Sequence, residues 1–307
     1  MQLSIVVVTW RSRDFLPRCL DSLRAHAAGA EVVVVENGSG DGTPEFLLET
    51  YPEVRALCLP RNLGFAAGCN RGIAASSGDM VLLLNPDAQA TAGSVPALAA
   101  ALADHPEAAA IGGLLVNPNG RPQRRYAPSR FPDLNDLSRM VLVPGSRRGL
   151  PIPSGTDLRQ VQQVAGACLL VRRAAARRVG GFDEGFTPVW FEDVDFCLRL
   201  HQAGFRILHH PGATFIHQGA GSVSKMDARS YYAAWYQNLQ RYGLKHHGRA
   251  AASLLRALTL PGAGMRLAAT LLPGGAGPFG RGPRAAAYMR VASRSVVGWP
   301  SVSRSMS

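Results

Sequence analysis

The chain is short of acids and uses them early. Its 307 residues hold 21 Asp and Glu against 33 Lys and Arg, a formal net charge of +12, and no acid follows Asp227. Residues 228–307 carry eleven cations, so residues 1–227 are near neutral at +1 and the C-terminal stretch holds +11. Such an excess raises nucleic acid or an anionic membrane as partner. The basic stretch has no helix-turn-helix, zinc-finger or RNP pattern, which leaves a nucleic-acid binder as a distant alternative. Cysteine is scarce too: Cys19, Cys58, Cys69, Cys168 and Cys197 are odd in number, scattered and never in C-x-x-C spacing. That excludes a disulfide framework or structural zinc site and suits a reducing compartment. No cationic segment followed by an apolar stretch and cleavage site opens the chain, so no signal peptide is expected. The most apolar late stretch, 250–272, is interrupted by Arg256, Pro261 and Arg266. It falls short of the uninterrupted ~20 residues a membrane-spanning helix needs. Neither G-x-G-x-x-G nor G-x-x-x-x-G-K-[ST] occurs, which disfavours dinucleotide and P-loop chemistry.

What is present is a 47% apolar chain with ample length for a core. Strand patterns at 3–9, 31–35, 54–59, 80–84 and 109–116 alternate with helical patterns at 12–23, 43–49, 64–76 and 94–104, with Ser12 a candidate cap. Continuous Val/Leu runs without polar alternation are what parallel strands covered on both faces require. The series predicts a doubly wound, mostly parallel α/β sheet. Residues 117–160 break the rhythm with Pro, Gly and Arg and read as a long mobile surface insertion, whose Arg121, Arg124, Arg125 and Arg130 read as solvated. Order returns with a strand at 164–172, helices at 174–179 and 191–203, strands at 206–209 and 214–217, and an aromatic-rich helix at 231–242. Beyond Gly248 the chain is Ala, Leu, Arg, Gly and Pro, with breaks expected at 261–264 and 273–278 and fraying at 303–307.

Four segments carry chemistry. Glu36-Asn37-Gly38-Ser39-Gly40-Asp41-Gly42-Thr43 follows the second strand, where open α/β sheets collect ligands. It reads equally as a turn with an Asp41 or Thr43 helix cap. Asn85-Pro86-Asp87-Ala88 places a carboxylate at the tip of a buried strand, suited to a hard divalent cation bridging phosphates, or to capping a turn. Five acids fall within residues 183–195, among Trp190 and Phe191, and Glu192 and Asp195 share a helix face by i, i+3 spacing. Acids in a first helical turn also complement the helix dipole. His217 ends a strand before a glycine loop, as a ligand or as a structural histidine. His209 and His210 read as structural.

Taken in order, these segments resemble the family 2 glycosyltransferases with the GT-A fold, especially their rhamnosyltransferase-like branch. The matching residues are Val6-Val7-Val8-Thr9-Trp10, the Glu36 to Thr43 loop, Asn62-Leu63-Gly64-Phe65-Ala66-Ala67-Gly68-Cys69-Asn70 and Asn85-Pro86-Asp87-Ala88. Gly166 to Arg173, Gly180-Gly181-Phe182-Asp183-Glu184, Phe191-Glu192-Asp193-Val194-Asp195 and His217 complete the series, over about residues 3–243. Two departures stand out. The family usually has Asp where this chain has Glu36, and its D-x-D triplet is reduced here to Asn85-Pro86-Asp87.

The resemblance implies a GT-A nucleotide-diphospho-sugar transferase fold over 1–243, followed by a basic helical extension over 244–307. Within it, 1–116 would be the nucleotide-binding half, 117–160 the insertion and 161–243 the acceptor and catalytic half. Thr9, Glu36 and Asn37 would line the base and ribose pocket, with Asn62, Gly64, Asn70 and Asn85 also around the nucleotide sugar. Asp87 and His217 would hold Mg²⁺ or Mn²⁺ on the diphosphate. Asp193 would be the general base and Glu192 would help position the acceptor. The implied activity is inverting transfer of a sugar from dTDP-rhamnose, or alternatively from a UDP- or GDP-hexose, to a lipid-linked or cell-envelope glycan. The expected location is cytoplasmic, peripheral on the inner face of the plasma membrane. Residues 249–307 read either as the contact with anionic lipid or as a flexible basic extension.

Overall fold

The apolar runs at 3–9, 31–36, 80–84 and 108–116 become buried strands because both their faces are covered, whereas the run at 55–58 is an exposed sheet edge. The computed structural model describes residues 2–143, 155–219, 221, 223–271 and 279–299. In chain order the first half contains β1 (Leu3–Thr9), α1 (Leu16–His26), β2 (Glu31–Glu36), α2 (Thr43–Thr50), β3 (Arg55–Cys58), α3 (Phe65–Ala75), β4 (Met80–Leu84), β5 (Ala88–Ala90), α4 (Ser94–Ala103) and β6 (Ala108–Val116). The second half contains α5 (Leu134–Leu142), β7 (Arg159–Val161), β8 (Cys168–Arg172), α6 (Arg173–Arg178), α7 (Glu192–Gln202), β9 (Arg206–His217), α8 (Ala228–Leu271) and α9 (Arg281–Val297).

The strands join in the order β3-β2-β1-β4-β8-β6-β9-β5, with β7 also on β9. The doubly wound sheet is parallel from β3 through β4. Beyond that it is mixed, because β8 enters antiparallel to both β4 and β6. Period-2 alternation sends Ile5 and Val7 to a core with α1, α2 and α4, and Val6 and Val8 to a second core with α3, α6 and α7. α3 lies directly on β1 because Gly72 has no side chain: a Cβ there would collide with Val6 Cγ1.

Two compact units are present, one of Met1–Phe131, Gly149–Glu184 and Glu192–Ser222, the other of Pro132–Arg148, Gly185–Phe191 and Val223–Ser307. The first contains the whole sheet. Residues 117–131, assigned to an insertion by composition, are tied into it: Gln123 N donates to Leu115 O (2.9 Å) and Phe131 N to Gln162 Oε1 (2.6 Å). The second unit consists of α5, α8, α9 and the 185–191 segment. There Asn238 Nδ2 donates to Thr187 O (3.2 Å) and Val189 O (2.8 Å), holding a segment in which Trp190 and Phe191 have φ of 81° and 69°.

Several local expectations are corrected. Ser12 is not a cap, since α1 starts at Leu16 and the Ser12 hydroxyl donates to Trp10 O (3.0 Å). The two strands expected around Pro211-Gly212 are one, β9, which passes that point with a register shift against β6. The break expected at 261–264 is absent; α8 runs through Pro261 and is interrupted instead at Gly248 (φ 85°, ψ 179°). An interior proline costs a helix about 3 kcal/mol. Here packing offsets it: Gly262 presses its bare Cα side on Val141 O, and Arg266 reaches the last carbonyls of α5. The expected features at 273–278 and 303–307 lie outside the described residues. No helix among the described residues is long and apolar enough to cross a membrane.

Candidate active site

In a parallel pair the loops leaving the carboxyl ends of the strands form a common crevice. The register of β1 and β2 sets Thr9 opposite Glu36 at that end. Thr9 is wholly buried and its Oγ1 has no hydrogen-bond partner. An orphaned buried hydroxyl is unfavourable by about 1–3 kcal/mol, which a ligand atom would relieve. Its neighbours are already engaged. Glu36 accepts from Ser39 N through Oε1 (2.7 Å) and from Gly38 N through Oε2 (3.1 Å). Asn37 accepts from Leu63 N (2.9 Å) and donates to Gly64 O (3.1 Å), while Asn62 Oδ1 accepts from Gly64 N (2.8 Å). These side chains hold the two loops together.

A second group forms where β5 pairs with the end of β9, placing Ala88 opposite His217. Asp87 Oδ1 lies 3.2 Å from His217 Nε2, and Asn85 Nδ2 lies 3.4 Å from the same nitrogen. Asp87 Oδ2 accepts from Gly221 N (3.0 Å). Burial pushes the Asp87 carboxyl up, but its contact with His217 and the Gly221 N–H outweigh it and hold the group below the usual carboxylate range. A carboxylate oxygen and an imidazole nitrogen facing one another are donors of the kind that would suit Mg²⁺ or Mn²⁺. Among the described residues no third His, Cys, Asp or Glu joins them.

The third group sits at the start of α7. Asp193 Oδ2 accepts from Gly166 N (3.1 Å) and Oδ1 from Val194 N (2.8 Å). One residue on, Ala167 O accepts from Asn85 N (3.0 Å). This extends the β4–β8 register, in which Leu84 faces Cys168. The Gly166-Ala167 peptide therefore links Asp193 to Asn85 and the Asp87–His217 pair. Glu192 is buried beside Asp193, and burial followed by the charges of both acids pushes the Cys69 thiol up. Asp195, which shares the buried face with Glu192, bonds Arg199 Nε (2.8 Å), whose Nη1 reaches Val179 O (2.5 Å). It anchors the helix.

Asn70 is not brought to the nucleotide loops by a hydrogen bond. Its amide donates to Phe182 O (2.9 Å) and Glu184 Oε1 (3.0 Å) and accepts from Phe182 N (2.8 Å), which fixes the Gly180-Gly181 turn. Sequence reading missed Gly166 as the partner of Asp193, and missed Gln123 and Tyr126, which touch His217. Gly166 precedes β8 and meets Asp193 only through the placement of α7, and Gln123 and Tyr126 carried no pattern.

The sequence model for glycosyl transferase family 2 matches residues 4–180. An N-acetylglucosaminyl-diphospho-decaprenol L-rhamnosyltransferase of Mycobacterium tuberculosis is 36% identical over 259 residues, covering 77% of this chain and 82% of that protein. A pre-mycofactocin glycosyltransferase of the same organism is 29% identical over 75% of this chain and 45% of its own length. Among solved structures, a mannosyltransferase of Pyrobaculum calidifontis in complex with GDP-Man and Mn²⁺ superposes with a TM-score of 0.56 at 19% identity, covering 96% of this chain and 87% of that one. The fold is thus shared with GT-A enzymes, and the chain belongs to glycosyl transferase family 2.

Proposed function

We propose that this glycosyltransferase moves a sugar with inversion from a nucleotide-diphosphate donor, best dTDP-rhamnose, to a hydroxyl of a lipid-linked or cell-envelope glycan. The observation that carries this reading is the Gly166-Ala167 link, which ties one candidate base to one candidate cation pair. The rhamnosyltransferase relative supports the donor sugar and the polyprenyl-linked acceptor class.

Asp193 would take the proton of the acceptor hydroxyl as its oxygen bonds the anomeric carbon and the bond to the diphosphate oxygen breaks. Two main-chain N–H groups hold that carboxylate in place before the substrate arrives. Glu192 would position the acceptor, and the Thr9 hydroxyl with the Asn37–Gly64 and Glu36–Ser39 loops would bind the nucleotide. Asp87 and His217 would hold Mg²⁺ or Mn²⁺, which when bound offsets the charge of the diphosphate. A single base with no second carboxylate placed as nucleophile fits direct displacement. Asp193→Asn should lower transfer from dTDP-rhamnose by about 10²–10⁴-fold with donor binding unchanged. Full activity in that variant would remove Asp193 as the base. Larger thermal stabilisation by a UDP- or GDP-hexose than by dTDP-rhamnose would move the reading to those donors.

The place of action is the anionic inner face of the plasma membrane, met through the second unit. Leu254, Ala257, Leu260, Met265 and Ala268 are exposed at helical spacing along α8, and Met289, Val296 and Val297 are exposed on α9. Arg249, Arg256 and Arg290 are exposed on the same two helices, and no acid lies anywhere in 228–307. An apolar stripe edged by cations is what an interfacial helix presents to lipid.

A further inference from the structure

His217 is wholly buried, so each ring nitrogen has only what the protein places before it. Nε2 faces Asp87 Oδ1 and Asn85 Nδ2 at 3.2 and 3.4 Å. Nδ1 lies 2.8 Å from Gln123 Oε1. The orientation of the Gln123 amide is dictated by its other end, which lies 2.5 Å from the main-chain oxygen of His217 and 2.8 Å from Asn117 Oδ1. A main-chain oxygen can only accept, so the NH₂ group must sit there and the carbonyl must face the ring. The hydrogen on that side therefore belongs to Nδ1. Gln123 is itself fixed, with its N–H on Leu115 O of β6 and its carbonyl accepting from Tyr126 N (3.0 Å). The Tyr126 ring stands edge-on to His217, at 4.6 Å and 86°.

We propose that Gln123 is a positioning residue that holds His217 as its Nδ1–H tautomer, leaving the Nε2 lone pair beside Asp87 for a divalent cation. The cation half of this rests on the proposed roles of Asp87 and His217; the tautomer half does not. The two neutral tautomers have opposite consequences here. With the hydrogen on Nε2, the ring donates to Asp87 and the two groups satisfy one another, closing the pair to a cation. With the hydrogen on Nδ1, the lone pair and the carboxylate face the same space, and only outside help can keep them so. Gln123 supplies that help from a stretch rich in Pro and Arg, through an amide anchored at both ends. Outer partners of a ligating histidine fix its tautomer and ring orientation in this way.

The test uses the full chain and two readouts. Side-chain ¹⁵N spectra of His217, recorded without metal where the ring is neutral, should show a protonated Nδ1 and an unprotonated Nε2. In Gln123→Leu the signals should move toward Nε2–H, and Mn²⁺ affinity in the presence of dTDP, measured by the spin resonance of free Mn²⁺, should fall about 10–100-fold. Gln123→Glu, which keeps an acceptor before Nδ1, should retain the Nδ1–H form. A purely structural role would leave the ¹⁵N pattern of a folded Gln123→Leu protein unchanged, and that result overturns the proposal. So does a native spectrum protonated at Nε2 alone. If the tautomer behaves as stated but Mn²⁺ does not bind the native chain with dTDP, the Gln123 assignment stands as orienting His217 and the cation reading fails.

Discussion

The two units handle charge in opposite ways. The sheet-containing unit holds eighteen cations and eighteen acids, whereas the helical unit holds fifteen cations and three acids. In the first, buried acids meet directional partners: Asp87 faces His217 and Gly221 N, and Asp195 faces Arg199. In the second, all three acids sit at helix starts. Asp133 and Asp136 form the capping box of α5, and Asp227 accepts from Ser230 N (3.0 Å) at the start of α8. None of the three is left for the buried Arg266, whose guanidinium instead donates to Met140 O (2.8 Å), Val141 O and Gly262 O (3.2 Å) and lies over Tyr236. Balanced charge is used to position groups in one unit, and unbalanced charge is left at the surface in the other.

Removing one member of each kind of contact separates the two strategies. Asp195→Ala strands a largely covered guanidinium, since the Arg199 side chain is only 17% exposed. Breaking a buried pair in this way costs about 3–5 kcal/mol. Arg266→Met leaves neutral carbonyls rather than an unpaired charge and should cost about 1–3 kcal/mol. Urea unfolding of both variants checks the order; an Arg266→Met loss larger than that of Asp195→Ala would break the comparison.

The sheet unit also contains a titratable group that it keeps neutral. His209 is buried on β9 with Nδ1 unpartnered, and burial pushes it down from 6.5 to about 4, with His210 and Arg159 adding to the shift against a Gly113 hydrogen bond. The unfolded chain takes up this proton as pH falls below 6.5, while the folded chain refuses it until about 4. Stability present above that window is therefore lost through it, by about 1.4 kcal/mol for each pH unit. In His209→Gln the stability slope between those limits should flatten by that amount; an unchanged slope would show that His209 is charged in the folded state.

How far the residues announced this arrangement depends on the kind of signal. Strands β1, β2 and β4 were legible because parallel strands covered on both faces need unbroken Val and Leu. β5 was not, since Ala88-Gln89-Ala90 is too short for periodicity to register and exists through pairing with β9. Pro211 and Pro261 misled for one reason: local propensity spoke for a break, and tertiary contacts overrode it. In the site, Asp87, Asp193 and His217 stood out by residue type and motif order. Gln123 did not, because a glutamine in a Pro- and Arg-rich stretch gains meaning only from the carbonyl and ring nitrogen that the fold brings to it.

The surplus of the helical unit gives the smallest effect for each residue and the clearest contrast. A neutral unit has no electrostatic reason to prefer one lipid over another, whereas exposed arginines near an anionic leaflet gain about 1 kcal/mol each. Arg249→Gln and Arg290→Gln should each weaken binding of the full chain to vesicles of mixed phosphatidylcholine and phosphatidylglycerol by about fivefold, with the loss fading as salt screens the native protein. Leu260→Ser, on the exposed stripe of α8, should weaken binding to the same vesicles at every salt concentration, because it removes apolar contact without changing charge. Sedimentation with the vesicles measures both. Equal binding of the native chain to pure phosphatidylcholine and to the anionic mixture would remove the electrostatic half of the reading. Unaltered binding of Leu260→Ser would remove the apolar half, and both results together would leave the cations of α8 and α9 as solvated surface.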